Sequence, residues 1–227
     1  MVETTPPHSS ASDSTETAEE YNERGLFHYR GWEMDEAIAA FEEAATADPA
    51  NPDYHLNLAR AHARNGDFGE ALRCVGDYLS TETDETVSER YERLFSSALD
   101  NVEEQLIDTM RAMDLQLPVV GKAIQMWLEY RISAGRRPLP IPEPNAWAAA
   151  LTYAVCRINF REVTRADVVA AYDTSDEAVR EKYDELVATL DLMPADFRYF
   201  AGEENPLDKL VEAAHLLEEI YGRFYED

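Results

Sequence analysis

Apolar residues recur along this chain at three- and four-residue steps, the spacing that lays one stripe along an α-helix. The longest stripe runs through Val87, Tyr91, Leu94, Phe95, Ala98, Val102, Leu106, Met110 and Met113, and predicts one amphipathic helix over 86–113. A further helix is predicted from about Pro118 to Ser133, with proline in the first turn, where its missing N–H costs nothing. Residues 136–144 carry four prolines and read as an extended connector. Asn145 is placed to cap a helix from Ala146 to about Arg157, which is rich in alanine, nearly apolar all round and so suited to a buried centre. A short helix over Thr164–Tyr172, a turn at Asp173–Asp176 and a helix over Glu177–Leu190 follow, a helix-turn-helix pattern. Beyond a hinge-like segment at Met193–Glu204, Asn205 and Pro206 open a last helix, with Leu207, Leu210, Val211, Ala214, Leu217 and Tyr221 on one face.

Residues 18–83 also repeat. Gly25, Ala37, Phe41, Ala44 and Pro49 recur 34 residues later as Ala59, Ala71, Val75, Tyr78 and Thr83. Small residues at 25/59 and 37/71 allow two antiparallel helices to approach, and larger ones at 41/75 fill the space between them. The segment resembles the tetratricopeptide repeat, a helical hairpin of period 34. Tyr21 stands for the family's usual tryptophan. The second copy has Leu58, Ala59, Ala71 and an Asn65-Gly66-Asp67 turn, and departs from the pattern at His55, Tyr78 and Thr83. Two copies leave an apolar flank, which the 86–113 helix is expected to cap.

The stretch from Pro144 to Leu192 resembles the second half of the cyclin-like repeat in archaeal transcription factor B. It is closer to an uncharacterised prokaryotic domain carrying similar Trp147-Ala148-Ala149, Tyr153-Ala154 and Asn159-Phe160 sequences. Asp173 stands where such turns prefer glycine. The expected architecture is all-α: a loose tail over 1–17, a repeat array with capping helix over 18–115, and a helical domain with a helix-turn-helix-like core over 116–227.

Charge changes this picture in two ways. The chain has 46 Asp and Glu against 20 Lys and Arg, a formal charge of −26. Only three of the basic residues are lysine: Lys122, Lys182 and Lys209. Acid excess with scarce lysine resembles the proteins of salt-accumulating halophilic archaea, where a screening length of about 3 Å at 1 M salt removes most self-repulsion. Against that background residues 118–165 are net +4. Arg131, Arg136, Arg137, Arg157, Arg161 and Arg165 therefore form a candidate contact patch, either for an acidic partner, nucleic acid included, or for the chain's own acidic repeats. The second helix of the helix-turn-helix is net −3 over Asp176–Glu185, which argues against entry into a DNA groove.

Candidate chemistry is sparse. No Gly-rich phosphate loop, nucleophile elbow or His-Glu-x-x-His is present. His28 and His62 share a repeat position and are expected to pack rather than ligate metal; no catalytic residue, metal or cofactor is expected. Cys74 and Cys156 sit in apolar helical patterns, as reduced core residues of a cytoplasmic protein do. No apolar run approaches a membrane span and the N-terminus is no signal peptide.

The tetratricopeptide resemblance implies a concave groove lined by Asn22, Leu26, Tyr29 and Arg30 in the first copy and Leu56, Arg60, Ala63 and Arg64 in the second. Arg30, Arg60 and Arg64 would make it a cationic strip beside apolar side chains. That suits a protein partner offering an acidic-hydrophobic peptide. The expected function is a non-catalytic protein–protein scaffold with no small-molecule substrate; the alternative is a transcriptional regulator contacting DNA through the C-terminal domain.

Overall fold

The computed structural model describes residues 17–92, 94, 100–135 and 141–202, and these form ten α-helices with no strand among them. Helix α1 (Ala18–Arg30) opens on Thr17, which forms a reciprocal capping box with Glu20. Thr17, expected in the tail, is thus the cap of the first helix. The rest of that tail and the expected last helix lie outside the described residues.

Helices α1 and α2 (Met34–Ala47) form one antiparallel hairpin, and α3 (Pro52–Asn65) and α4 (Phe68–Thr81) the next. Proline at the start of α3 and left-handed Gly66 after its end delimit that helix. A Cβ on Gly25 would stand 2.5 Å from the Phe41 ring, so only glycine allows this approach. The equivalent pair in the second hairpin, Ala59 and Val75, is fully buried in the same core. Helix α5 (Glu85–Glu92) closes the flank of α4, with the Tyr91 ring edge-on to Tyr78 at 5.1 Å.

The single helix expected over 86–113 is two. Asp100 starts α6 (Asn101–Ala112) afresh: its carboxylate accepts from the N–H groups of Val102 and Glu103, while Glu103 accepts from the N–H of Asp100. This capping box cannot form inside a continuous helix. It turns Val102, Leu106 and Met110 into a second core, so α6 packs with the C-terminal helices rather than with the repeats.

That core is built on α7 (Leu117–Ser133) and α8 (Pro144–Ile158), flanked by α9 (Arg165–Ala171) and α10 (Asp176–Leu190). Trp127, Tyr130 and Trp147 pack ring to ring at its centre. Helix α8 is buried as expected, Arg157 being its one exposed residue. It begins at Pro144 rather than after an Asn145 cap, and the Asn145 amide instead donates to the Tyr172 carbonyl at 3.0 Å, tying α8 to the end of α9. Thr164 and Ser175 cap α9 and α10, and Asp173 adopts the left-handed conformation (φ 49°) that its turn requires. Helix α7 serves both cores: Ile132 lies in the first, Trp127 and Tyr130 in the second.

Candidate functional site

The face formed by the first helices of the hairpins, α1 and α3, is where the expected groove would lie. Helix α7 packs on α3 there, and the end of α10 and the chain after it reach the same place. Arg64 is buried, its Nη2 donating to the Thr189 carbonyl at 3.3 Å. Its guanidinium lies 4.3 Å from the Tyr29 ring centroid and 4.9 Å from that of Trp32. Arg198 lies 4.8 Å from the same Trp32 ring, and the indole N–H donates to Asp191 at 2.7 Å. One guanidinium–indole contact, Arg198 on Trp32, and one charge-assisted hydrogen bond thus clasp the first hairpin to the C-terminal domain, while Arg64 on the same ring ties the two hairpins together.

The clasp rests on a buried network. Arg198 donates to Glu129 at 2.7 Å, to both oxygens of Asp196 at 2.7 and 2.9 Å, and to the Leu190 carbonyl at 2.9 Å. Tyr199 gives its hydroxyl proton to the other Glu129 oxygen. Burial pushes the Glu129 carboxyl above its usual range, with Arg198 pulling it back. Burial works against the charge on Arg198, but Asp196 and Glu129 outweigh it and hold the guanidinium firmly protonated.

Trp32 is held at φ 61°, a conformation costly for a bulky residue. The equivalent residue of the second hairpin is Gly66, at φ 89°. A tryptophan thus stands where the repeat turn calls for glycine, and the clasp holds it there. Sequence reasoning overlooked Trp32, although the 34-residue register marks it as out of place.

The expected groove is accordingly not an open strip. Tyr29, Leu56, Ala63 and Arg64 are buried. Arg60 is half-buried, 5.6 Å from the Tyr29 centroid, and donates to Asn57 at 3.4 Å. Asn22 accepts from the Asn57 amide at 2.9 Å, and Leu26 is partly buried against the first core. Arg30 alone of the eight candidates is exposed, its Nε folded back onto the Leu26 carbonyl at 3.0 Å. The physical reason for the correction is that the chain's own C-terminal domain covers the Arg64 end.

The basic residues do not gather into one patch either. Arg131 is half-buried and paired with Asp100 at 3.0 Å and Glu103 at 3.7 Å, so it fastens α7 to the start of α6. Arg165 pairs with Asp176. Arg136 and Arg137 lie outside the described residues. Arg157 and Arg161 are exposed and have no carboxylate partner among the described residues: Arg157 donates to the Tyr183 hydroxyl at 3.3 Å, and Arg161 to Gln116 at 3.1 Å. Arg157 rims a cavity of about 390 Å³ between α8, α10 and residues 192–195, floored by Ala154, Ile158 and Val187. Phe160 and Met193, 62% and 45% exposed, form its apolar lip. A second cavity between α6 and α7 has Arg111 and Asp114 together on its rim, so its charge cancels. On α10, Asp176, Glu177, Glu181 and Asp184 face solvent and Lys182 is tied to Glu181, which leaves few donors for phosphates.

Residues 33–94 match the family model of the tetratricopeptide repeat. The matched span begins at the turn before α2 and ends just beyond α5, and α1 completes the first hairpin. No curated protein and no solved structure matches the chain. Within the tetratricopeptide hairpins the two equivalent histidines each meet the acid that follows the turn. His28 lies 2.6 Å from Glu33 and His62 lies 3.9 Å from Asp67. Among the described residues no three His, Cys, Asp or Glu side chains converge as metal ligands, and no helix is long and apolar enough to cross a membrane. Cys74 and Cys156 are free and buried, and burial pushes both thiols up to about 11.

Proposed function

We propose that this protein is a non-catalytic adaptor of the cytoplasm. Its tetratricopeptide hairpins seat the chain's own C-terminal domain, and a partner protein binds that domain at the cavity beside Arg157. The observation that carries this reading is the pairing of an exposed apolar lip, Phe160 and Met193, with Arg157, which like Arg161 four residues on has no carboxylate partner among the described residues. In a chain with 46 acidic and 20 basic residues, an arginine without such a partner beside an apolar cavity selects for an acidic-hydrophobic peptide. Its apolar side chains fill the cavity and its carboxylates meet the guanidinium groups. The net charge of −26 would repel such a partner in dilute buffer. The acid-rich, lysine-poor composition supports a working medium of molar salt, where that repulsion is screened. The acidic face of α10 disfavours the DNA-contacting alternative.

The test is comparative capture from the source cells at molar KCl. Proteins retained by the wild type and by an Arg30→Glu control should be lost on the Arg157→Glu/Arg161→Glu variant. The same set retained on all three baits would remove the cavity as the partner site.

A further inference from the structure

We infer that the seam between the hairpins and the C-terminal domain binds a small monovalent inorganic anion, chloride in the cell, against Arg60, Arg64 and Tyr29. This site is separate from the proposed partner cavity. Arg60 and Arg64 stand one helical turn apart on α3, with their guanidinium carbons 5.6 and 4.3 Å from the Tyr29 ring centroid. The Nε of each arginine and the Tyr29 hydroxyl are buried without a hydrogen-bond partner, as is the Ser133 hydroxyl on α7, the helix laid across α3. The bonds that the two arginines do make go to neutral acceptors, the Asn57 side chain and the Thr189 carbonyl. Neither has a carboxylate within 4.0 Å among the described residues.

The seam's own acids are already committed. Glu129 and Asp196 are taken by Arg198 and Tyr199, and Asp191 by the Trp32 indole. Glu129, already bonded to Arg198 and Tyr199, reaches Arg64 only through its field, so neither guanidinium group has a carboxylate bonded to it in a chain whose acids outnumber its bases more than two to one. A buried charge is retained only where it is paired. The two Nε–H groups and the Tyr29 hydroxyl can all act as donors, so the complementary group is an acceptor that carries negative charge and brings no hydrogens of its own. A water molecule supplies no charge and adds two donors. A peptide carboxylate cannot reach Tyr29 and Arg64, which are 8% and 7% exposed. A single-atom anion meets every condition. Such an ion binds only when α7 and the chain after α10 are in place, so it ties docking of the C-terminal domain to the anion concentration.

Crystals of the full chain grown without chloride and soaked in bromide test the site directly. The expected result is an anomalous difference peak in contact with Arg64 Nε and Tyr29 Oη; a map empty there overturns the proposal. In solution, stability is followed at fixed ionic strength while chloride replaces gluconate. Linkage predicts that the folded-to-unfolded ratio rises by up to about tenfold per tenfold chloride above the dissociation constant. Arg60→Gln, at a half-exposed position that keeps the clasp, should abolish that slope. Equal stability of the wild type in the two anions, or an unchanged slope in Arg60→Gln, overturns the assignment.

Discussion

Replacing Gly25 by alanine sets two effects of opposite sign against each other inside one helix. In an ordinary helix interior the change is stabilising by about 1 kcal/mol, because glycine loses more backbone freedom on folding. Here the new Cβ would lie 2.5 Å from two carbons of the Phe41 ring and 3.0 Å from a third. Phe41 is 1% exposed and has nowhere to move. Overpacking a tight core costs about 1–3 kcal/mol, and two ring carbons at 2.5 Å put this site in the upper part of that range, about 2–3 kcal/mol, so the net expectation is a loss of about 1–2 kcal/mol. For a chain of this size that lowers Tm by about 2–8 °C. Phe41→Val alone should cost about 2–3 kcal/mol, below the roughly 3–5 kcal/mol of a Phe→Ala truncation. The double variant recreates the Ala59–Val75 pair of the second hairpin, so the two substitutions should compensate, with a coupling of about 1–3 kcal/mol. Denaturant titration followed by circular dichroism at molar KCl measures all four proteins. A Gly25→Ala variant as stable as the wild type, or single effects that add within about 0.5 kcal/mol, would refute the steric argument.

Three further outcomes are expected. Trp32→Ala and Trp32→Gly both lose the clasp, but glycine accepts the left-handed turn, so the alanine variant should be less stable than the glycine variant by about 1 kcal/mol; identical midpoints would mean that the turn relaxes. Because burial holds the Cys74 and Cys156 thiols near 11, above their ordinary value of 9.0, the folded state keeps protons that the unfolded state releases. Stability should therefore fall as pH climbs from about 9 to about 11, and neither thiol should react with a disulfide reagent at pH 8 before unfolding; rapid labelling of the native protein would contradict this. Thermal stability should also rise between about 0.1 M and above 1 M KCl, as the screening length shrinks from about 10 Å to about 3 Å, whereas a flat or falling Tm would remove the halophilic interpretation.

The repeat hairpins were legible because their determinants are local and recur: Gly25 and Ala59 mark close helix approach, and Gly66 marks the turn. The buried character of α8 was legible from its alanines. The break before α6 was readable too, since Asp100 and Glu103 spell a capping box, but the apolar stripe running through Leu94 to Val102 masked it. The start of α8 was misjudged by two residues because Pro144 can open a helix as well as end a connector. Side-chain partners were harder to foresee. Nothing near Arg64 in sequence announces Thr189, and nothing near Trp32 announces Asp191 or Arg198, since more than 100 residues separate each pair. The cationic groove failed for this reason: periodicity shows which residues share a face, not what covers it. The cavity beside Arg157 was half visible, because Asn159-Phe160 had drawn notice as a sequence feature while Met193 arrives from a segment read only as a hinge.

From Lys122 to Ser133, helix α7 has no exposed residue, because both cores close around it. On the ribosome the hairpins are finished at Thr81, yet α3 receives its α7 cover only when that helix, some fifty residues later, leaves the exit tunnel, and Arg64 waits longer still for Thr189. At a synthesis rate of about 5–20 residues per second that interval is about 3–10 s. During it the nascent hairpins present an apolar face, and in a crowded cell this is the span in which a chaperone would have something to hold.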